Sequence, residues 1–191
     1  PFPETIQVDA SSGGVRKRRL YSFKPTSSEE ALEVLLDNAQ PDQVLNCLEN
    51  TILFNPDHDG ALRAYSVLCL DSAPDRFFAT VRPGLAARPA KVEWHRAYQQ
   101  AAGRYRPEHD LIAEYRQLRT DNPAAPAFSY LLGRLLDDRE EATRLFTESE
   151  RGSQPIGYGY NAIAHQLLCA GRFSRAVENA RRAVAAKPHA L

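Results

Sequence analysis

Five prolines, Pro56, Pro89, Pro123, Pro155 and Pro188, each follow an apolar helical run, at intervals of 33, 34, 32 and 33 residues. Proline has no amide N–H to continue a helix, and its ring clashes with the preceding turn, so each marks a stop. Stops at a near-constant interval, with room for two helices between them, describe a repeated helix–turn–helix. One such pair cannot bury its own apolar face, whereas stacked pairs can. The spacing therefore predicts an all-α fold, an αα-superhelix of about five pairs. The repeats fall near 26–56, 57–89, 90–123, 124–155 and 156–188.

Residues 1–25 read differently from the rest. Thr5 to Val8 and Val15 to Phe23 are β-type segments on either side of Ser11-Ser12-Gly13-Gly14. They fit a β-hairpin or a disordered leader. Arg16-Lys17-Arg18-Arg19 is a basic run. It reads as a solvated strand or linker, with binding to anionic lipid or nucleic acid as the sharper alternative. Helix begins after Pro25, where Ser27 and Glu30 form a capping box. The clearest helices downstream run over 128–136, 140–150, 158–170 and 174–187. Pro83-Gly84 falls within the second helix of the 57–89 unit and is expected to kink or split it.

Composition narrows the function classes. With 24 basic and 24 acidic residues the formal charge is zero, which argues against a dedicated nucleic-acid binder. No stretch approaches the roughly 20 apolar residues of a membrane span. Cys47, Cys69 and Cys169 form neither a disulfide framework nor a C-x-x-C pair. Each sits in an apolar helical stretch, which predicts three small buried hydrophobes in a reducing, cytoplasmic setting. The histidines, at 58, 95, 109, 165 and 189, include no helical H-x-x-x-H pair, so no metal and no cofactor is expected. The start Pro1-Phe2-Pro3 and the absence of Met leave open a signal or anchor upstream of residue 1.

The last unit carries the most specific pattern. Tyr160, Ile163, Ala164 and Leu167 share one helical face. Gly171 closes that helix, and Phe173, Ala176, Ala180 and Ala183 line the next one before Pro188. The preceding unit offers Leu132-Gly133, Leu136, Ala142 and Phe146, and the third has Trp94, Ala97, Ala101, Leu111, Tyr115 and Leu118. The second has Leu62, Tyr65, Ser66 and Cys69, and the first keeps Val44 and Leu48. This order of aromatic, aliphatic and small residues resembles the tetratricopeptide repeat (TPR) family over about residues 29–188. Tyr98 departs from the pattern, standing where a small residue is expected.

The resemblance implies a protein-interaction module (a scaffold, adaptor or assembly factor) that holds a partner peptide along the face lined by the first helix of each pair. Counting outward from the packing face gives His95 and Gln99, Tyr130 and Arg134, then Tyr158, Asn161, His165 and Leu168, with Arg63 in the second unit. Tyrosine and arginine are enriched among binding hot spots. The Lys/Asn arrangement by which chaperone-binding members hold a terminal carboxylate is not recognisable, so no chaperone docking is expected.

No nucleophile motif or phosphate loop occurs, and no enzyme is expected. Asp137-Asp138 and Glu140-Glu141 read as helix capping, Arg181-Arg182 as cations near a helix C-terminus, and Trp94 as a packing residue. Two other readings stay open: a docking or regulatory segment of a larger enzyme, and a stack that self-associates through uncapped ends.

Overall fold

The structure, a computed structural model, describes residues 6–10, 19–23, 41–151 and 155–186. Strands β1 (Ile6–Ala10) and β2 (Arg19–Phe23) pair antiparallel, with Ile6 opposite Phe23 and Ala10 opposite Arg19. Arg16 to Arg18, the Ser27/Glu30 capping box and Pro188 lie outside the described residues.

Nine helices follow among the described residues. They are α1 (Pro41–Phe54), α2 (Asp59–Ser72), α3 (Pro74–Leu85), α4 (Val92–Tyr105) and α5 (Leu111–Asp121), then α6 (Pro126–Gly133), α7 (Arg139–Ser149), α8 (Tyr158–Cys169) and α9 (Phe173–Ala186). From Pro41 onward the described residues are a helical repeat with no strand among them. Helices α2 and α3, α4 and α5, α6 and α7, and α8 and α9 fall within the four later proline intervals, and α1 ends two residues before Pro56.

Local chemistry sets the helix ends. Asp138 accepts from the amides of Glu140 and Glu141 at 2.8 and 3.2 Å, so of the four acids Asp138 caps α7, while Glu140 and Glu141 lie in its first turn. Asp110 caps α5 through the Ala113 amide at 2.9 Å. His58 caps α2, its Nδ1 accepting from the Ala61 amide at 3.1 Å. Helix α8 closes on Gly171 at φ +70. There Arg172 N–H donates to Leu167 C=O at 2.8 Å and Gly171 N–H to Leu168 C=O at 3.0 Å. This is the left-handed glycine cap of a Schellman motif.

Pro83 does not split its helix: α3 runs through it and ends two residues later, at Leu85. So close to the C-terminus, the missing N–H costs one hydrogen bond of the last turn. The adjacent glycine has a packing role, because a Cβ on Gly84 would enter the Trp94 ring.

Two compact units divide between α2 and α3, at Ala73 and Pro74. In the N-terminal unit α1 packs on α2, with Leu48, Ile52, Tyr65 and Cys69 buried. In the C-terminal unit successive helices pack from α3 to α9, around Phe77, Trp94, Tyr115, Phe128, Leu131 and Leu145. Each buried large apolar side chain contributes about 1.5–3 kcal/mol relative to exposure. Small residues keep paired helices close. A Cβ on Gly133 would sit 2.8 Å from the Phe146 ring, and Ala164 and Ala176 are buried between α8 and α9.

The cysteines do not behave alike. Cys69 is buried as expected, but Cys47 is half-buried and Cys169 is exposed. Burial still pushes the Cys47 thiol pKa up. Cys169 lies on a flank of α8 that no described helix covers, so its apolar surroundings in sequence do not become apolar surroundings in space.

Candidate functional site

Helices α4, α6 and α8, the first members of three successive pairs, meet at one cluster of polar and aromatic side chains. On α4, Glu93, Arg96 and Gln99 recur every three residues and so share a face. Glu93 accepts from Arg96 Nη1 at 2.9 and 3.1 Å. The Arg96 guanidinium lies 6.0 Å from the Tyr158 ring centroid on α8. Tyr158 stacks at a tilt on Tyr130 of α6, with centroids 5.3 Å apart, and Tyr130 packs against Phe146 of α7 at 5.9 Å.

Arg134, just past the end of α6, donates to Gln99 Oε1 at 3.2 Å. Gln99 Nε2 in turn donates to the Leu131 carbonyl at 2.9 Å. Burial raises the Tyr130 phenol pKa, and the Arg96 and Arg134 charges partly offset this, so Tyr130 lies within the field of both cations. The cluster thus presents two guanidiniums whose positions are held by an acid and an amide, beside an aromatic pair.

Not every residue expected on this face reaches solvent. His95 is 1% exposed, and Gln99 and Tyr130 are 5% exposed. His95 packs edge-on against Tyr115 and Phe128, and its Nδ1 lies 2.9 Å from the Tyr115 hydroxyl. Burial, then the nearby Arg88 charge, pulls its pKa down to about 4, against a raising contribution from the Leu85 carbonyl. His95 is therefore a neutral core residue, and Gln99 and Tyr130 lie beneath the surface that Arg134 and Tyr158 complete. The first helix of a central pair has neighbours on more than one side, which counting from a single packing face does not capture.

Arg134, Asn161, His165 and Leu168 are exposed and Tyr158 is half-buried. Tyr158, Asn161, His165 and Leu168 form one stripe along α8. Arg63 is exposed on α2, in the N-terminal unit. The sequence reading missed Arg96 and Glu93, although their three-residue spacing with Gln99 was visible.

A second polar network joins α5, α6 and α7. Arg119 Nη2 donates to both Glu148 oxygens at 2.8 and 3.0 Å. Ser129 donates to Glu148 Oε1 at 2.9 Å. Desolvation alone would raise the Glu148 pKa, but these hydrogen bonds and the Arg119 and Arg144 charges outweigh it and hold the carboxyl below its ordinary value.

Pro89, Pro123 and Pro155, which end three successive pairs, line one cleft of about 770 Å³ with Tyr158. Among the described residues no group of three or more His, Cys, Asp or Glu side chains is placed to hold a metal ion. None of the described helices is long and apolar enough to cross a membrane.

No family model matches the chain, and no curated protein matches it. Among solved structures it is similar to the crystal structure of MamA, at 12% identity and a TM-score of 0.43, over 86% of this chain and 96% of that one.

Proposed function

We propose that this chain is a protein-interaction module that holds a segment of a partner protein against the face formed by α4, α6 and α8. One observation carries the reading. Arg96 on α4 and Arg134 just past the end of α6 are held beside the Tyr130–Tyr158 pair by Glu93 and Gln99. Arginine and tyrosine already fixed in place lose less conformational freedom on binding, which favours them as anchors. Asn161 and His165 extend the surface along α8 with exposed hydrogen-bonding groups. Arg63 is a separate candidate contact in the N-terminal unit.

The test compares wild type with an Arg134→Glu/His165→Glu double variant in affinity capture from a native lysate. Both substituted side chains are exposed, so the fold should survive, which circular dichroism checks. A partner retained by wild type and lost by the folded variant supports the assignment. Equal retention of every partner by both proteins overturns it.

Self-association is a second reading, favoured by α9. Phe173, Val177 and Val184 are 64%, 51% and 43% exposed along its length. Sedimentation showing only monomer at high concentration would exclude it.

A further inference from the structure

Helix α8 presents a second face to a cleft. Tyr160, Ile163 and Leu167 fall about 200° around the helix from Tyr158, Asn161 and His165. They line a cleft of about 970 Å³ whose walls come from α7 and α9. Thr143 on α7 donates to Gln166 on α8 at 2.8 Å within this lining.

The charge on this cleft is lopsided. Arg139 and Arg151 lie on the α7 side, and Arg172, Arg175 and Arg182 on the α9 side. Arg182 is neutralised by Glu178 at 2.6 Å. Among the described residues the other four guanidiniums have no ion pair and no hydrogen bond, and all four are exposed. Three acids line the same cleft. Glu178 is committed to Arg182, and Glu150 is buried, accepting from the amides of Gly157 and Gly159 at 2.9 and 2.7 Å. Among the described residues of the lining, Glu140 alone remains to balance these four cations. The chain as a whole carries no net charge, so this is a local excess.

We infer that this cleft is a binding site for an acidic, extended segment of a partner protein, distinct from the face formed by α4, α6 and α8. Arg139 opens α7 and Arg151 lies two residues past its end, so the eleven-residue helix sets them apart by roughly 16 Å at a helical rise of about 1.5 Å. About five extended residues span that length, so acids at both ends of such a segment reach both arginines. The half-buried Ile163 and Leu167 supply an apolar floor between them. Glu140 and the apolar floor suit a mixed acidic peptide better than the uniform charge of a phosphate backbone.

The experiment measures fluorescence anisotropy of a labelled eight-residue peptide of alternating Glu and Leu. The controls are its Gln counterpart and a single-stranded oligonucleotide of equal charge. The Glu peptide is expected to bind wild type and to weaken as salt rises, while the Gln peptide does not bind. Arg172→Glu/Arg175→Glu should weaken Glu-peptide binding at least tenfold, and Arg134→Glu, outside this cleft, should leave it unchanged. If the double reversal unfolds the chain, Arg172→Gln/Arg175→Gln takes its place with a smaller expected loss. Failure of the Glu peptide to bind, or binding indifferent to Arg172 and Arg175, overturns the site. Loss on Arg134→Glu moves the peptide to the other face, and preference for the oligonucleotide replaces the partner class; either result overturns the inference.

Discussion

Gln99 Oε1 accepts a hydrogen bond from the Arg134 guanidinium at 3.2 Å, across the gap from α4 to α6. The same amide donates to the Leu131 carbonyl at 2.9 Å, so both of its ends are engaged. An amide 5% exposed and bonded at both ends cannot rotate to release the arginine without losing both contacts. Gln99→Leu should therefore leave Arg134 unheld and destabilise the chain by about 1–2 kcal/mol. The urea midpoint measures the stability change, and the Arg134 Nε–H resonance in a nuclear magnetic resonance spectrum reports its mobility. An unchanged arginine resonance would show that Gln99 does not hold it.

Gly84 and Gly103 make opposite predictions for one substitution. A Cβ on Gly84 would enter the Trp94 ring, whereas one on Gly103 meets no atom within 4 Å. Alanine gains up to about 1 kcal/mol over glycine in a helix, but overpacking a buried ring costs about 1–3 kcal/mol. Gly84→Ala should thus destabilise and Gly103→Ala should stabilise by about 0.5–1 kcal/mol. Trp94 is the only tryptophan, so its fluorescence follows unfolding in both variants and should shift in the native state only for Gly84→Ala.

His95 should make stability fall with acid. Its folded pKa, about 4, lies below the 6.5 of an unperturbed histidine. Between those values the unfolded chain binds a proton that the folded one does not, so stability present above about pH 6.5 is lost as pH falls towards 4. The loss reaches at most about 3 kcal/mol. Chemical denaturation in steps from pH 7.5 to 4 measures it. His95→Phe should flatten that slope while leaving the acid limb due to carboxylates such as Glu148. A slope unchanged in the variant would assign it to other groups.

Glu150 ties the end of α7 to the start of α8. Its carboxylate is 5% exposed and accepts from two backbone amides. A negative charge at a helix N-terminus also complements the helix dipole. Glu150→Ala leaves the Gly157 and Gly159 amides without this acceptor and should cost about 2–3 kcal/mol. Glu150→Gln should cost less, because one oxygen remains. Hydrogen exchange at Gly159 should accelerate in both variants, more in the alanine one.

Much of this architecture was legible in the sequence. A proline stop, a capping Asp138 and a closing Gly171 act within one or two turns of chain, so residue type and spacing decide them. The helix expected over 174–187 accordingly lies at Phe173–Ala186, and the one expected over 158–170 at Tyr158–Cys169. The small residues of the TPR-like pattern, Gly133, Ala164 and Ala176, also sit where two helices meet.

The faces were a different matter. Helical periodicity tells which residues share a stripe, but not how many neighbours cover it. His95 and Tyr130 lay on the stripe opposite one packing face, yet other helices bury them. Cys169 occupied an apolar run, yet nothing described covers it. Glu150 read as one acid among many until the chain after α7 brought the Gly157 and Gly159 amides onto it, and Gly84 read as a helix breaker until Trp94 packed against it. The repeated helix pair is thus a property of the sequence, because its determinants are local. Which side chains face a partner is decided by tertiary structure, because exposure depends on residues far away in the chain.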